Sequence, residues 1–518
     1  MDKNEKSMPV MQFAAPQESL FSSPYFDITA YSDVSEEFTL ADYYPEIRRI
    51  ISVTAKALPE GKFVSGNTVD CDGVVSFIVT YLGEDSTVAA APFSVEYSHS
   101  IDFPDLPEGA RGNPLVCDTV AESSSCRVTD PRRISLKTRL KSRIFADMQQ
   151  NGDETCADEA GMPVTGAELL SVERLCEKVR SARCISGAKT DTVSGKLRSG
   201  DISRAISADG AINIIDARAQ DGTVAVRAEA AVFVLCQRSD GIYETFREKE
   251  AFETEVEAAG AKAGDAARAF ARAASVTVNS SAEGMSFDIE YDMDVQCMRG
   301  ETVSLCTDAY STAFESSPAI CEREIYTPLK CSVLHLTASG DIKRKSSAAP
   351  GEYLIGVCAA ACAEKAEVSD GHLSLSGNVS FQACVAQNGD VFPEEGKIPF
   401  TVTTDIPDTD VQNPVWRADV QVVEQSGRTG NGTVEVSAEL VISLFAVDRK
   451  KLKTVDRLIL DRSKPNKKSG GIHIYFPEKS EEIWNIAKKY SSSRRTLEKL
   501  NGWQEGAESA GTSPVIIE

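Results

Sequence analysis

Residues 221–235 read DGTVAVRAEAAVFVL. Val224, Val226 and Ala228 recur at period two, the signature of a strand with one buried face. Asp221-Gly222 supplies the positive φ angles of a tight hairpin turn ahead of that strand. The same reading applies to DGVVSFIVTYL from Asp72 and to DGHLSLSGNVSFQA from Asp370, where Leu373, Leu375 and Gly377 alternate, and the Asp-Gly pairs are 149 residues apart both times.

Each run reaches a second turn and a short apolar mark: Gly83-Glu84 then Ala91-Pro92-Phe93, Asp240-Gly241 then Glu250-Ala251-Phe252, and Asn388-Gly389 then Ile398-Pro399-Phe400. The first copy is about ten residues shorter at this point. An alternating strand then returns in every copy: Ile134, Leu136 and Leu140; Met285, Phe287 and Ile289; Val434, Val436 and Leu440. These begin 62, 64 and 64 residues after the Asp-Gly aspartates. Three landmarks in one order describe an internal repeat. Between the strands, Thr165–Ala182 and the Ala-rich stretch Glu257–Ser275 are dominated by strong helix formers and are predicted to be helices packed across a sheet.

At 518 residues the chain exceeds one core and calls for about three or four domains. The expected fold class is mainly β with some α. It divides into a flexible lead-in (1–35), three β-rich modules (36–150, 165–315 and 320–447), a basic linker (448–470) and a small β-α-α-β domain (471–518). A composition 42% hydrophobic and 26% charged is that of ordinary globular protein. The net charge of −23 argues against a nucleic-acid partner, which calls for a basic patch. Nine Lys/Arg against three Asp make 448–470 +6, and 471–518 is −1, leaving −28 for 1–447. The basic stretch reads as a solvated linker or as a site for docking to an acidic surface.

No apolar run long enough for a signal peptide opens the chain, and no segment approaches 18 consecutive apolar residues, so neither export nor membrane insertion is expected. The expected location is the cytosol. Its 14 cysteines are scattered along the chain and are expected to be reduced, mostly buried thiols. Cys358 and Cys362 have no histidine or second cysteine pair nearby to complete a zinc site.

The last 48 residues carry the most specific pattern. Ile472–Phe476 alternate as a strand, and Glu481-Glu482 opens a helix where the macrodipole favours anions. Ile483, Ile486, Ala487 and Tyr490 form one apolar stripe. Ser491–Ser493 restart a second helix whose Leu497 and Leu500 are expected to face the same core, and Pro514–Ile517 closes the sheet.

This segment resembles a LysM domain in Tyr475, in IWNIAKKY (483–490), in TLEKLN (496–501) and in the closing Val-Ile-Ile. Many LysM domains bind N-acetylglucosamine polymers such as peptidoglycan through the loops before the first helix and before the last strand. Those loops read Ser480-Glu481-Glu482 and Thr512-Ser513 here, instead of the usual Gly-Asp-Thr and Gly-Gln. The whole chain resembles the clostridial spore-coat family with SPOCS domains followed by one C-terminal LysM. The residues are the Asp-Gly strands, Phe93 and Phe400, Asp130-Pro-Arg-Arg133 and the LysM core. The resemblance implies tandem SPOCS-like modules and a role in sporulation on the mother-cell side of the forespore. The LysM domain would there contact the ATPase of the coat's basal layer.

Catalysis needs positioned titratable groups, and the chain is poor in them. His99, His335, His372 and His473 are its only histidines, none in a metal or nucleophile motif. Glu394-Glu395 reads as a solvated turn pair. No enzyme activity and no cofactor are expected. The candidate partner-binding residues are Ile472, Ile474, Trp484 and Lys488, because Trp is enriched where interfaces carry most energy, and a two-stranded sheet covered on one side leaves its other face available. Ser480, Glu481, Glu482 and Ile483 are the candidate glycan-loop positions. A protein-docking scaffold is the first reading, a peptidoglycan binder the second.

Overall fold

The computed structural model describes residues 10–12, 24–102, 115–147, 171–198, 202–281, 284–345, 350–387, 390–407, 411–430, 432–466, 471–478, 481–504, 507–509, 511 and 513–518. Among the described residues the chain is mainly β, with two short helices near its C-terminus. After β1 (Val10–Gln12) come β2 (Pro24–Thr39), β3 (Ile47–Ser65), β4 (Thr68–Gly83), β5 (Val88–Asp102), β6 (Leu115–Asp130) and β7 (Arg133–Asp147). Six more follow: β8 (Val172–Leu197), β9 (Ile202–Gln220), β10 (Thr223–Arg238), β11 (Tyr243–Glu257), β12 (Ala266–Ser281) and β13 (Gly284–Ser311). A third six are β14 (Phe314–Lys343), β15 (Tyr353–Ser369), β16 (His372–Gln387), β17 (Asp390–Asp405), β18 (Pro414–Thr429) and β19 (Thr433–Pro465). The tail is β20 (His473–Tyr475), α1 (Ile483–Lys489), α2 (Arg494–Asn501) and β21 (Val515–Ile517).

One connectivity occurs three times. The third strand of each six is the centre of a sheet, giving orders β3-β4-β5, β9-β10-β11 and β15-β16-β17. The sixth is the centre of the other, between β2 and β6, β8 and β12, or β14 and β18. All pairings are antiparallel, and in each set the outer strands of the two sheets lie side by side, β3 by β6 and β2 by β5 in the first. Each set is therefore a flattened barrel of two sheets whose edge strands shield one another, with no hydrogen-bonded ladder joining them among the described residues. The central strands carry the expected period two. Ile134, Leu136, Leu140, Phe287, Ile289, Val434, Val436 and Leu440 are all buried.

The turn assignment holds in two copies and fails in one. Asp221-Gly222 and Asp370-Gly371 do form the hairpin turns ahead of β10 and β16, with Gly222 at φ 84° and Gly371 at 76°. Asp72-Gly73 instead lies inside β4, and the turn is made at Gly66, φ 60°. Aligning the strands by their first residues makes Gly73, Ala228 and Gly377 equivalent. Each sits opposite an aromatic on the next strand: Tyr97, Phe252 and Phe400. Tyr97, not Phe93, is thus the counterpart of Phe252 and Phe400, and the apparent ten-residue shortening of the first copy disappears. A methyl group on Gly377 would lie 2.1 Å from the Cys362 carbonyl oxygen and 2.7 Å from the Phe400 ring. Gly377→Ala is expected to destabilise by about 1–3 kcal/mol, the cost of overpacking. An unchanged urea midpoint would refute the close approach.

Both expected internal helices are strands. Within Glu257–Ser275 the chain enters β12 at Ala266, and the part of Thr165–Ala182 that lies in the described residues enters β8 at Val172. Ala269, Ala271 and Ala273 are buried opposite Val295, Met293 and Tyr291 of β13. Small residues there leave room for large ones on the neighbouring strand, and this packing overrides the helical propensity of alanine. The basic stretch is not a linker: through Pro465 it is the second half of β19, with Lys451 and Lys453 in register with Glu324 and Glu322 of β14. Nor is 1–35 wholly a flexible lead-in, since residues 24–35 belong to β2 and pair with β7. Eleven of the described cysteines are free thiols, as expected, but only Cys236, Cys297 and Cys331 among them are buried, and Cys71 is disulfide-bonded, which scattered cysteines do not signal in sequence. Glu394 is buried rather than solvated: its carboxylate accepts the Lys345 amide at 2.6 Å and lies 4.0 Å from the buried Arg344 guanidinium, which also pairs with Glu352 at 2.6 Å.

The three sets pack together. Ile51, Leu82 and Val88 of the first join Ile355, Ala386 and Val391 of the third in one buried cluster, with Leu235 and Tyr243 of the second against it. Arg48 bridges to Asp390 at 3.1 Å, Lys56 to Asp209, and Arg247 to Glu424. A cavity of about 820 Å³ opens where they meet, its wall made largely of small residues such as Ala57, Gly210, Ala271 and Ala361.

Candidate functional site: the tail on the β extension

Four strands run well past the barrels. β8 and β13 stay paired out to Val172 and Ser311, and β14 and β19 out to Phe314 and Pro465. The two ladders pack face to face through Ala182, Met298, Tyr326 and Phe445 near the barrels, and through Ala309, Val455, Leu458 and Leu460 further out. At some 3.3 Å per residue, the thirteen residues from Val172 to Cys184 span about 40 Å. This extension carries the tail.

The tail has the expected strand-helix-helix-strand order. β20 and β21 pair antiparallel, with Ile474 opposite Ile516, and the helices cover one face. Ser493 caps α2, its side chain accepting the Thr496 amide at 3.1 Å, and Gly502 ends that helix in the left-handed conformation. Ile483, Ile486, Ala487, Leu497, Val515 and Ile517 are buried. Leu500 is on the outside instead, because the face of α2 turned to the core carries Leu497 and Glu498.

Tyr310 of β13 is buried within this core, and Leu175 of β8 packs against it. Trp484, 4% exposed, meets the Tyr310 ring edge-on at 5.0 Å and donates its indole N–H to Asp308 Oδ2 at 2.8 Å. Lys488 Nζ donates to both oxygens of the same carboxylate at 2.7 Å. The Tyr310 hydroxyl donates to the Ser492 carbonyl at 2.7 Å, and burial pushes that phenol well up. Burial also raises Glu173, against the opposing pull of Arg494. Asp308 reaches the tail because the ladder shifts register between Cys306 and Asp308, an irregularity that redirects side chains.

The candidate residues therefore separate into two groups. Trp484 and Lys488 are held by this chain's own Asp308. Ile472 and Ile474 are 75% and 63% exposed, and with Phe476 at 72% they form an outward apolar face beside Ile516. The loop candidates are closed locally. Glu481 accepts the Tyr475 hydroxyl at 3.0 Å and the Glu478 amide at 3.1 Å, Ile483 is wholly buried, and Glu482 is exposed at the head of α1. Ser480 and Thr512 lie outside the described residues. Asp308 and Tyr310 escaped sequence reasoning, as they lie about 180 residues from their partners. His372 is exposed and pairs with Asp405 at 2.9 Å, and His99 contacts Ser142 at 3.2 Å with its imidazole pKa lowered by burial. Among the described residues no group of three His, Cys, Asp or Glu could hold a metal ion, and no helix is long and apolar enough to cross a membrane. No family model, curated protein or solved structure matches the chain.

Proposed function

We propose that the chain is a non-enzymatic scaffold of spore-envelope assembly, a set of tandem SPOCS-like β modules presenting a LysM-like tail to a protein partner. The setting is the mother-cell cytoplasm, and the partner is the ATPase of the coat's basal layer, as the family resemblance implies. The observation that carries the docking role is the outward face of Ile472, Ile474, Phe476 and Ile516 at the end of a 40 Å extension. Contiguous apolar surface rimmed by polar residues marks protein-binding sites on soluble domains. Peptidoglycan binding has weaker support, because the Glu481 carboxylate is engaged by Tyr475 and Glu478 and Ile483 faces the core.

The test uses the full chain. Ile474→Asp is expected to weaken capture of the purified ATPase by about tenfold or more, the loss of one interface anchor. It should leave sedimentation with insoluble peptidoglycan unchanged, and protection of the α1 amides should remain as in the parent. Retention on peptidoglycan that Glu481→Ala abolishes, together with ATPase capture indifferent to Ile474, would replace this reading with the glycan one.

A further inference from the structure

Cys176 and Cys306 stand directly opposite each other in the β8–β13 ladder, and their thiols are in hydrogen-bond contact. Directly paired residues of antiparallel strands have Cα atoms about 4.5 or 5.5 Å apart, and both values fall within the span a disulfide accepts. Cys176 is exposed, whereas Cys306 is half-buried against the outer cluster of the extension. Cys306 also donates its S–H to the Asp308 carbonyl at 3.3 Å, across the register shift that aims Asp308 at Trp484 and Lys488.

We propose that Cys176 and Cys306 are a reversible disulfide site, oxidised by a low-molecular-weight disulfide, and that closing the bond loosens the hold of Asp308 on the tail. The exposed Cys176 thiolate attacks one sulfur of the small disulfide, whose S–S bond breaks and releases one thiol. The Cys306 thiolate, its proton lost to solvent, then attacks Cys176 Sγ and expels the second thiol. Two cysteine S–H bonds are replaced by one S–S bond, and the small disulfide is reduced to two thiols. Oxidised Cys306 has no hydrogen left to donate, so its bond to the Asp308 carbonyl ends with the reaction. The thiol pair stands independently of what the tail binds.

The experiment exposes the full chain to oxidised glutathione and maps its peptides without reduction. A peptide linking Cys176 to Cys306 is expected, absent in Cys176→Ser and in Cys306→Ser, and cleaved by dithiothreitol. If both cysteines are recovered as free thiols or as separate glutathione adducts, while exposed Cys362 is modified, no such site exists. Amide exchange over residues 483–490 should quicken about five- to tenfold in the oxidised chain, the contribution of one hydrogen bond, and not in oxidant-treated Cys176→Ser. Unchanged exchange in a chain whose bond has been mapped would overturn the coupling to the tail.

Discussion

Asp419→Ala is expected to cost about 3–5 kcal/mol, the penalty for removing one partner of a buried ion pair. Asp419 on β18 is 14% exposed and accepts from Arg268 of β12 at 2.9 Å, with Arg417 3.4 Å away. Arg268, 7% exposed in its side chain, also donates to the Ser443 carbonyl at 3.1 Å and to the Gln296 side chain at 2.9 Å. It thereby fastens the second barrel to the third. Removing the carboxylate leaves two guanidinium groups near the interface without their anion, whereas Asp419→Asn keeps the volume and an acceptor, so a smaller loss follows. Urea unfolding, together with amide exchange in β12 and β18, measures both variants. A loss below about 1 kcal/mol for the alanine variant would place the pair with ordinary surface bridges and remove it from the account of how the barrels are held.

Period-two patterns that reach the core were readable because one face of a central strand excludes water along its whole length. Val224, Val226 and Ala228 repeat inward positions that tertiary structure then confirms. Asp72-Gly73 misled because the dipeptide is a turn signal only where the chain needs positive φ, and Gly73 is required instead to let Tyr97 lie across β4. The alanines of β12 misled for a related reason. Their helical preference is a local quantity of a few tenths of a kcal/mol per residue, and the volume of Tyr291 and Met293 opposite them is not visible in a local window. The basic run after Asp448 looked like a linker because its charges are exposed, yet β14 supplies a complete partner strand more than a hundred residues earlier. In the tail, the helices and the free sheet face were legible from local spacing. Asp308 was not, since nothing near Leu305-Cys-Thr-Asp-Ala309 announces a distant indole.

Two variants of the tail should fail differently. Trp484→Ala deletes a buried ring shared by α1 and Tyr310, a loss of about 3–5 kcal/mol. A domain of fewer than fifty residues has little stability in reserve, so the amides of both helices should lose protection together. Asp308→Ala removes only the acceptor outside the tail, about 1.5–3 kcal/mol for a hydrogen bond to a charged group. The amides of α1, which carries Trp484 and Lys488, should then exchange faster by no more than that contact is worth, while α2 keeps its protection and Trp484 fluorescence shifts toward that of a solvated indole. The same pair separates the two faces of the tail as docking surfaces. If the partner is gripped by Ile474 and Phe476, releasing Trp484 through Asp308→Ala leaves affinity unchanged. If the partner needs Trp484, the contact within the chain competes with it, and Asp308→Ala must tighten binding by the free energy that the contact no longer withholds. Tighter capture by Asp308→Ala would thus reassign the docking surface to the indole side of the tail and make the extension its inhibitor.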